Sequence, residues 1–162
     1  MIKLKRILVP HDFSETSDAA VKYAVAFAKN FGAALQLLHV SDKARLEMGT
    51  EFPLGLEASL EAAVRERMLK ILAPEDQAAL RPEFQIREGT PAVEVVRYAK
   101  EHDIDLIIMG THGRGFIAHA VLGSVAEKVV RTAPCPVLTV HSPEREFVRA
   151  DDAAQPEVRA TT

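Results

Sequence analysis

A glycine-rich stretch after an apolar segment is the part of this sequence best suited to chemistry. GTHGRGFIAHAVLGS, residues 110–124, holds four of the chain's 8 glycines and ends in Ser124. Glycine adopts positive φ angles and lets a ligand approach the backbone. A loop of this kind that leads into a helix N-terminus presents unpaired N–H groups, which favour an anion, typically phosphate. Arg114 or His112 would add positive charge, so the stretch predicts a phosphate-binding loop.

Two well-known phosphate loops fit this stretch poorly. The pattern G-x-x-x-x-G-K-[ST] is absent from the sequence. Residues 113–118 match G-x-G-x-x-[GA], but a dinucleotide site also needs an acidic residue about 20 positions later, at the end of the next strand. That position falls near Pro134, and only one further strand is predicted. The stretch therefore favours another kind of nucleotide loop.

The histidines and the single cysteine raise the alternatives of a metal site and an enzyme. No two of the 6 histidines have H-x-x-x-H spacing, and the only cysteine, Cys135, lies between two prolines. We therefore expect no dedicated zinc site and an inert, buried thiol. Mg²⁺ bound together with nucleotide phosphates, with Asp12 or water as ligands, is favoured instead. Acid–base chemistry by histidine stays open, and the candidates are His11, His112 and His119.

The rest of the chain predicts alternating strands and helices. Short aliphatic and β-branched runs predict strands at residues 5–9, 34–40, 83–87, 104–109 and 137–140. Amphipathic spacing predicts helices over residues 14–31, 56–72, 91–102 and 124–133. Ser14 caps the first helix and Gly32 ends it, while residues 124–127 read as a capping box for the last. Residues 41–55 and the segment between Pro74 and Pro82 are predicted as connections without regular structure.

This order of elements predicts an α/β fold with an open, doubly wound parallel sheet and helices on both faces. In such sheets a ligand lies beyond the carboxyl ends of the strands, where the strand order reverses. If the fourth strand returns beside the first, the loop Pro10-His11-Asp12 meets the glycine-rich stretch. The sequence thus predicts one site built from two loops.

Composition restricts the function further. The 162 residues are 48% apolar and 27% charged with a net charge of −3, as expected for one globular domain. No cluster of Lys and Arg suggests a nucleic-acid surface, and no apolar run reaches the roughly 20 residues that cross a membrane. The basic N-terminus lacks the features of a signal peptide, so we expect a cytoplasmic protein. Residues 1–141 are predicted as the domain and residues 142–162 as a disordered tail.

The glycine spacing also carries a family resemblance. Residues 110–124 match G-x2-G-x9-G-[ST]. The resemblance is also carried by four longer segments, two of which overlap this match: ILVPHDFSETSDAAVKYA, LLHV, DLIIMGTHGRG and LGSVAEKVVRTAPCPVLTV. Over about residues 3–141 the chain resembles the universal stress protein family, in its ATP-binding branch. The resemblance implies the strand order 3-2-1-4-5, ATP at the switch point, and a stress-response sensor or switch that hydrolyses ATP slowly or not at all.

The resemblance also implies roles for individual residues. Asp12 would contact the ribose or a metal, Val40 would meet adenine through its backbone, and Met109 and Gly110 would line the ribose and adenine side, although Met109 reads equally well as a core residue. The phosphates would be held by Gly113, Arg114, Gly123, Ser124 and Val125. The remaining expected ATP-binding residues lie in the same two loops: Pro10, His11, His112 and Gly115.

The last strand, Val137-Leu138-Thr139-Val140, would expose an unpaired edge. Pairing with the same strand of a second copy covers it, and the resemblance likewise implies a homodimer. The ligand and the activity stay open, because a phosphate cradle does not distinguish ATP from AMP or cyclic AMP. A weak ATPase or nucleotidyl transferase and a module for another adenine nucleotide are the alternatives. The sequence names no stress and no protein partner.

Overall fold

The computed structural model describes residues 1–42, 56–111 and 122–141, with backbone only for residues 56–60. The strands are β1 (Arg6–Pro10), β2 (Ala34–Ser41), β3 (Glu83–Glu88), β4 (Leu106–Gly110) and β5 (Val137–Val140). The helices are α1 (Glu15–Phe31), α2 (Leu56–Leu69), α3 (Pro74–Leu80), α4 (Pro91–Glu101) and α5 (Ser124–Thr132). Most of the predicted connection 41–55 and the predicted tail 142–162 lie outside the described residues. In the part that is described, no helix is long and apolar enough to cross a membrane.

The strands form one parallel sheet in the order β3-β2-β1-β4-β5, which confirms the predicted topology. The first strand has β2 on one side and β4 on the other, with Ile7 opposite both Leu35 and Leu106. The strand order therefore reverses at β1. This reversal places the carboxyl ends of β1 and β4 side by side, where ligands of doubly wound sheets bind.

Each face of the sheet has its own core. Alternate residues of a strand point to opposite faces, so Ile7 and Val9 pack under α1 while Leu8 packs with Val95 of α4 and Val129 of α5. All five of these side chains are at most 1% exposed. The central strands are consequently apolar on both faces, as parallel strands covered by helices require.

Helix α1 begins and ends as its sequence predicts. The Ser14 hydroxyl accepts a hydrogen bond from the Ser17 amide, and the Ser17 hydroxyl accepts one from the Ser14 amide. Gly32 ends the helix in the left-handed region, at φ 64°. Small buried residues such as Ala20 and Ala24 let α1 lie close to the sheet. The start of α1, beside the end of β1, is therefore held firmly in place.

Two local predictions were wrong. The segment between Pro74 and Pro82 forms α3, which has Pro74 in its first turn and an ion pair of 2.6 Å between Asp76 and Lys29 of α1. The apolar spacing of residues 91–102 predicts that Val93 faces inward, but Val93 is 51% exposed. Helix α4 buries Glu94 instead, and the Glu94 carboxylate binds the exposed Arg97 at 2.7 Å. The apolar pattern did not indicate that a carboxylate would occupy a buried position.

Candidate functional site

The β1–α1 turn and the described start of the glycine-rich stretch lie together at the carboxyl ends of β1 and β4. Gly110, the last residue of β4, lies against the first turn of α1. A Cβ atom at Gly110 would lie only 2.7 Å from both the carbonyl carbon and the Oγ1 of Thr16. The missing side chain therefore lets the β1–α1 turn approach the start of the glycine-rich stretch. This packing role explains Gly110 without any ligand.

The two ends of the glycine-rich stretch are joined by a hydrogen bond between Gly123 and Thr111, a contact called the neck below. The Gly123 amide donates to the Thr111 carbonyl at 2.6 Å, and the Thr111 amide donates to Val140 at 2.9 Å. The Thr111 hydroxyl lies 3.0 Å from Nδ1 of His141. Gly123 is thereby held at the end of β4. Five predicted residues of this stretch lie outside the described ranges: His112, Gly113, Arg114, Gly115 and His119.

The N-cap of α5 lies one residue earlier than its sequence suggests. The predicted capping box of Ser124 and Glu127 is wrong, because Gly123 is the N-cap and no side chain caps the helix. The Gly123 carbonyl accepts the Glu127 amide at 2.9 Å, and the Glu127 carboxylate binds Arg131 at 3.0 Å. The exposed Ser124 hydroxyl is therefore not used as a cap. First-turn amides lack partners within their helix, so this end of α5 suits an anion.

The Asp12 carboxylate is fixed at the end of β1. Its Oδ1 accepts a hydrogen bond of 3.1 Å from the Ser14 amide and another from the Ser14 hydroxyl. This is the local turn that Asp commonly forms with a residue two positions later. Asp12 thus shapes the entry into α1 and has a defined position beside β4. Its predicted ligand role and its local structural role are compatible.

His11 is buried, and both of its ring nitrogens have protein partners. Its Nδ1 accepts a hydrogen bond of 3.2 Å from the Phe13 amide, so the proton sits on Nε2, which donates to Asp18 at 3.0 Å. Burial lowers the pKa of His11, and the nearby Asp18 only partly opposes this effect. The imidazole is therefore neutral at neutral pH and is engaged with α1. This arrangement suits a structural residue better than an acid or base.

The other predicted contacts lie around the same edge. Met109 is 5% exposed, so its side chain belongs to the core under α4 and α5. Val40 and Val125 are half-buried against the same core. Pro10 ends β1 opposite Leu38, and the His11 amide donates to the Leu38 carbonyl at 2.9 Å. The structure therefore brings the ends of β1, β2 and β4 to one edge with the start of α5.

The described residues can also be compared with the expectations for a metal site and for the Cys135 thiol. Within the described ranges, no group of three or more His, Cys, Asp or Glu residues could hold a metal. Asp12 is a single carboxylate, which fits an ion that arrives with phosphate oxygens rather than a protein-built metal site. Cys135 is half-buried, and burial raises the pKa of its thiol. A raised pKa leaves little thiolate at neutral pH.

Two residues near the site were not predicted. Phe13 follows Asp12 and has φ 63°, and the Arg67 guanidinium of α2 lies 4.0 Å from the centre of its ring. Both line a cavity of about 270 Å³ on the α1 face of the sheet, together with His11, Asp18, Lys70 and Ile71. The pair is separated by more than fifty positions, and no local motif indicates such a contact.

Comparison with known proteins gives one consistent family. The model of the Universal stress protein family matches residues 3–141. Universal stress protein MJ0531 of Methanocaldococcus jannaschii is 33% identical over 151 residues, which cover 88% of this chain and 85% of that protein. The solved structure of MJ0577 has a TM-score of 0.76 at 32% identity and covers 89% of this chain and 100% of that chain. A universal stress protein in complex with cAMP has a TM-score of 0.61 at 26% identity, covering 86% and 98%.

Proposed function

The chain belongs to the universal stress protein family, and from that premise we propose that it binds ATP where the ends of β1 and β4 meet. It then acts as a cytoplasmic stress-response sensor or switch. The proposed nucleotide-binding domain is residues 1–141, and residues 142–162 are a tail outside it. The observation that carries the proposal is the neck between Thr111 and Gly123. This contact holds both ends of the glycine-rich stretch together at the start of α5, where no side chain caps the helix.

The phosphate end of the ligand is proposed to lie at α5. The Ser124 hydroxyl makes no cap, and the first-turn amides and the helix dipole favour negative charge. Gly113 and Arg114 would complete this cradle from the glycine-rich stretch, flanked by His112 and Gly115. With Gly123 and Val125 they form the full phosphate set inferred from the sequence.

The base and sugar end is proposed to lie beside Asp12. The Asp12 carboxylate, fixed by Ser14, would bind the ribose or a Mg²⁺ ion held jointly with the phosphates. The Val40 backbone would meet adenine, while Pro10, Met109 and Gly110 form the floor between the loops. Mg²⁺ would neutralise part of the negative charge of the phosphates.

Hydrolysis is proposed to be slow or absent. His11 is neutral and both of its ring nitrogens already have partners, so it is poorly suited to activate water. An ATPase or nucleotidyl transferase would thus have to depend on His112 or His119. The better supported alternative is another adenine nucleotide, since one structural relative was solved in complex with cAMP.

Identifying the nucleotide in freshly purified protein tests the ligand assignment. After heat denaturation, the supernatant is separated by chromatography and the released compounds are identified by mass. We expect ATP in amounts stoichiometric with the chain. Recovered ADP would favour turnover, and recovered cyclic AMP would favour the alternative ligand and overturn the ATP assignment.

A homodimer through β5 is the proposed assembly. Among the described strands, β5 lies at the edge of the sheet and pairs with β4 alone, and its Val137, Leu138 and Thr139 are half-buried. The edge of a parallel sheet presents unpaired backbone groups that a second copy can satisfy. The pairing of β5 with its copy would satisfy them symmetrically.

A charge on this edge is expected to separate the dimer. Thr139→Lys places an ammonium group on β5, and edge lysines oppose strand pairing. Sedimentation velocity should show a dimer for the wild type and a monomer for Thr139→Lys at the same concentration. Gln85→Lys is the matched control, because Gln85 is exposed on β3 at the opposite edge. Dimerisation that is lost in the control and kept in Thr139→Lys would contradict the proposal.

A further inference from the structure

We propose that Phe13 and Arg67 act as positioning residues, through which helix α2 fixes the Asp12 turn and sets nucleotide affinity. The inference rests on the proposed function, because it assigns α2 a role in the same site. Neither residue belongs to the glycine motif or to the set of ATP contacts inferred above. Three features carry it: the backbone of Phe13, the groups that enclose its ring, and the position of Arg67.

The Phe13 backbone has a conformation that a phenylalanine rarely adopts. Its φ of 63° lies in the left-handed region, where a bulky side chain is an outlier. Such a conformation persists only when surrounding contacts over-determine it, and these residues often lie at functional sites. Here Phe13 stands between Asp12 and Ser14, and the Ser14 amide donates to Asp12 across it. A relaxed Phe13 would therefore displace the Asp12 carboxylate.

The groups that hold Phe13 are themselves well ordered. The Phe13 amide donates to Nδ1 of His11, and the two rings meet edge to face with centroids 5.3 Å apart. The ring centroids of His39 and Phe13 are 4.7 Å apart, with the two ring planes inclined by 41°. Nδ1 of His39 is 2.8 Å from the His11 carbonyl oxygen. Both histidines are at most 9% exposed. Two buried imidazoles thus form a rigid support for the phenyl ring.

Arg67 is the contact that comes from α2. Its guanidinium lies 4.0 Å from the centre of the Phe13 ring, a distance at which a cation and an aromatic face attract each other. The neighbouring Met68 is fully buried in the core and anchors this part of α2. Arg67 therefore reaches Phe13 from a fixed helix. This contact ties α2 to the turn.

Lys70 serves as a comparison that distinguishes the contact of Arg67 with Phe13 from a general attraction between positive charge and nucleotide. It lines the same cavity as Arg67 and carries the same charge, but its ammonium group binds Glu66 at 2.6 Å. Long-range attraction to a nucleotide would involve both cations to a similar extent. A positioning role through the Phe13 ring is specific to Arg67. The two residues therefore form a matched pair for substitution.

ATP titration of four variants tests the inference. Arg67→Gln should raise the Kd for ATP about threefold, the effect of losing one exposed cation–aromatic contact. Arg67→Lys should retain most of the affinity, because a lysine also places a cation over the ring. Lys70→Gln should match the wild type. Phe13→Gly should raise the Kd about tenfold, because it removes the ring that Arg67 and the two histidines contact.

A second measurement on the nucleotide-free protein keeps the inference separate from the proposed function. Hydrogen exchange of the Ser14 amide reports its shared hydrogen bonds to Asp12 and to the Ser17 hydroxyl, which together define the Asp12 turn. It should speed up in Arg67→Gln and in Phe13→Gly but not in Lys70→Gln. If the wild type binds no nucleotide, the proposed function fails and this exchange pattern still tests the positioning pair. Equal changes in Arg67→Gln and Lys70→Gln, or wild-type behaviour of Arg67→Gln and Phe13→Gly, would overturn the inference.

Discussion

The double variant Gly113→Ala, Ser124→Ala is expected to bind ATP about a hundredfold more weakly than the wild type, because it loses a charge-assisted hydrogen bond and crowds the phosphate. Ser124 opens α5 without capping it, so its hydroxyl is available to a ligand. A methyl group at Gly113 would obstruct close approach of the phosphate to the backbone. Calorimetric titration with ATP in the presence of Mg²⁺ measures the effect.

The fold of this variant should stay intact. Since no side-chain cap is lost at α5, circular dichroism and the melting temperature should change little. Thr132→Ala is the matched control, because it removes a hydroxyl at the opposite end of α5, where Thr132 donates to the Lys128 carbonyl. Its ATP affinity should equal that of the wild type. Unchanged affinity in the double variant would remove Gly113 and Ser124 from the site.

Gly110→Ala should have the largest effect on stability, a loss of about 2–3 kcal/mol in the free energy of unfolding, as overpacking commonly produces. The new Cβ atom would meet the Thr16 backbone at 2.7 Å, and backbone atoms cannot rotate away as a flexible side chain can. Relief requires α1 to move from the end of β4. Thermal unfolding should show a melting temperature lower by about 5–10 °C for a chain of this size.

Gly32→Ala provides the comparison for this substitution. Gly32 has φ 64°, but a Cβ atom there would have no other atom within 4 Å. Its replacement should cost only the left-handed backbone penalty, about 1 kcal/mol. A loss of stability in Gly110→Ala no larger than that in Gly32→Ala would show that α1 does not depend on close packing at the end of β4.

The α/β class could be predicted from local patterns, whereas the strand order was implied by the family resemblance. Apolar runs alternated with amphipathic segments, and parallel strands joined by helices leave few arrangements. Ser14 and Gly32 fixed the ends of α1, since capping is decided by adjacent residues. The meeting of the Asp12 loop with Gly110 and Gly123 then followed from the order of the strands. Local rules and topology together were enough to assemble most of the described site.

The parts that sequence could not predict depend on contacts between distant residues. Gly123 bonds to Thr111 and is the N-cap of α5, so Ser124 is not the cap. Glu94 of α4 is buried and lies 3.7 Å from Arg87 of β3, while its neighbour Val93 is exposed. Arg67 reaches Phe13 only after α2 packs on the sheet. No local pattern records any of these interactions.

Titration of the nucleotide-stripped wild-type protein with ATP and Mg²⁺ tests the central proposal most directly. The binding isotherm is measured by calorimetry, and the titration is repeated with cyclic AMP and AMP as competitors. The proposed site predicts saturable, stoichiometric binding of ATP that the other two nucleotides displace only weakly. Absence of saturable ATP binding at millimolar nucleotide would contradict the assignment of this site.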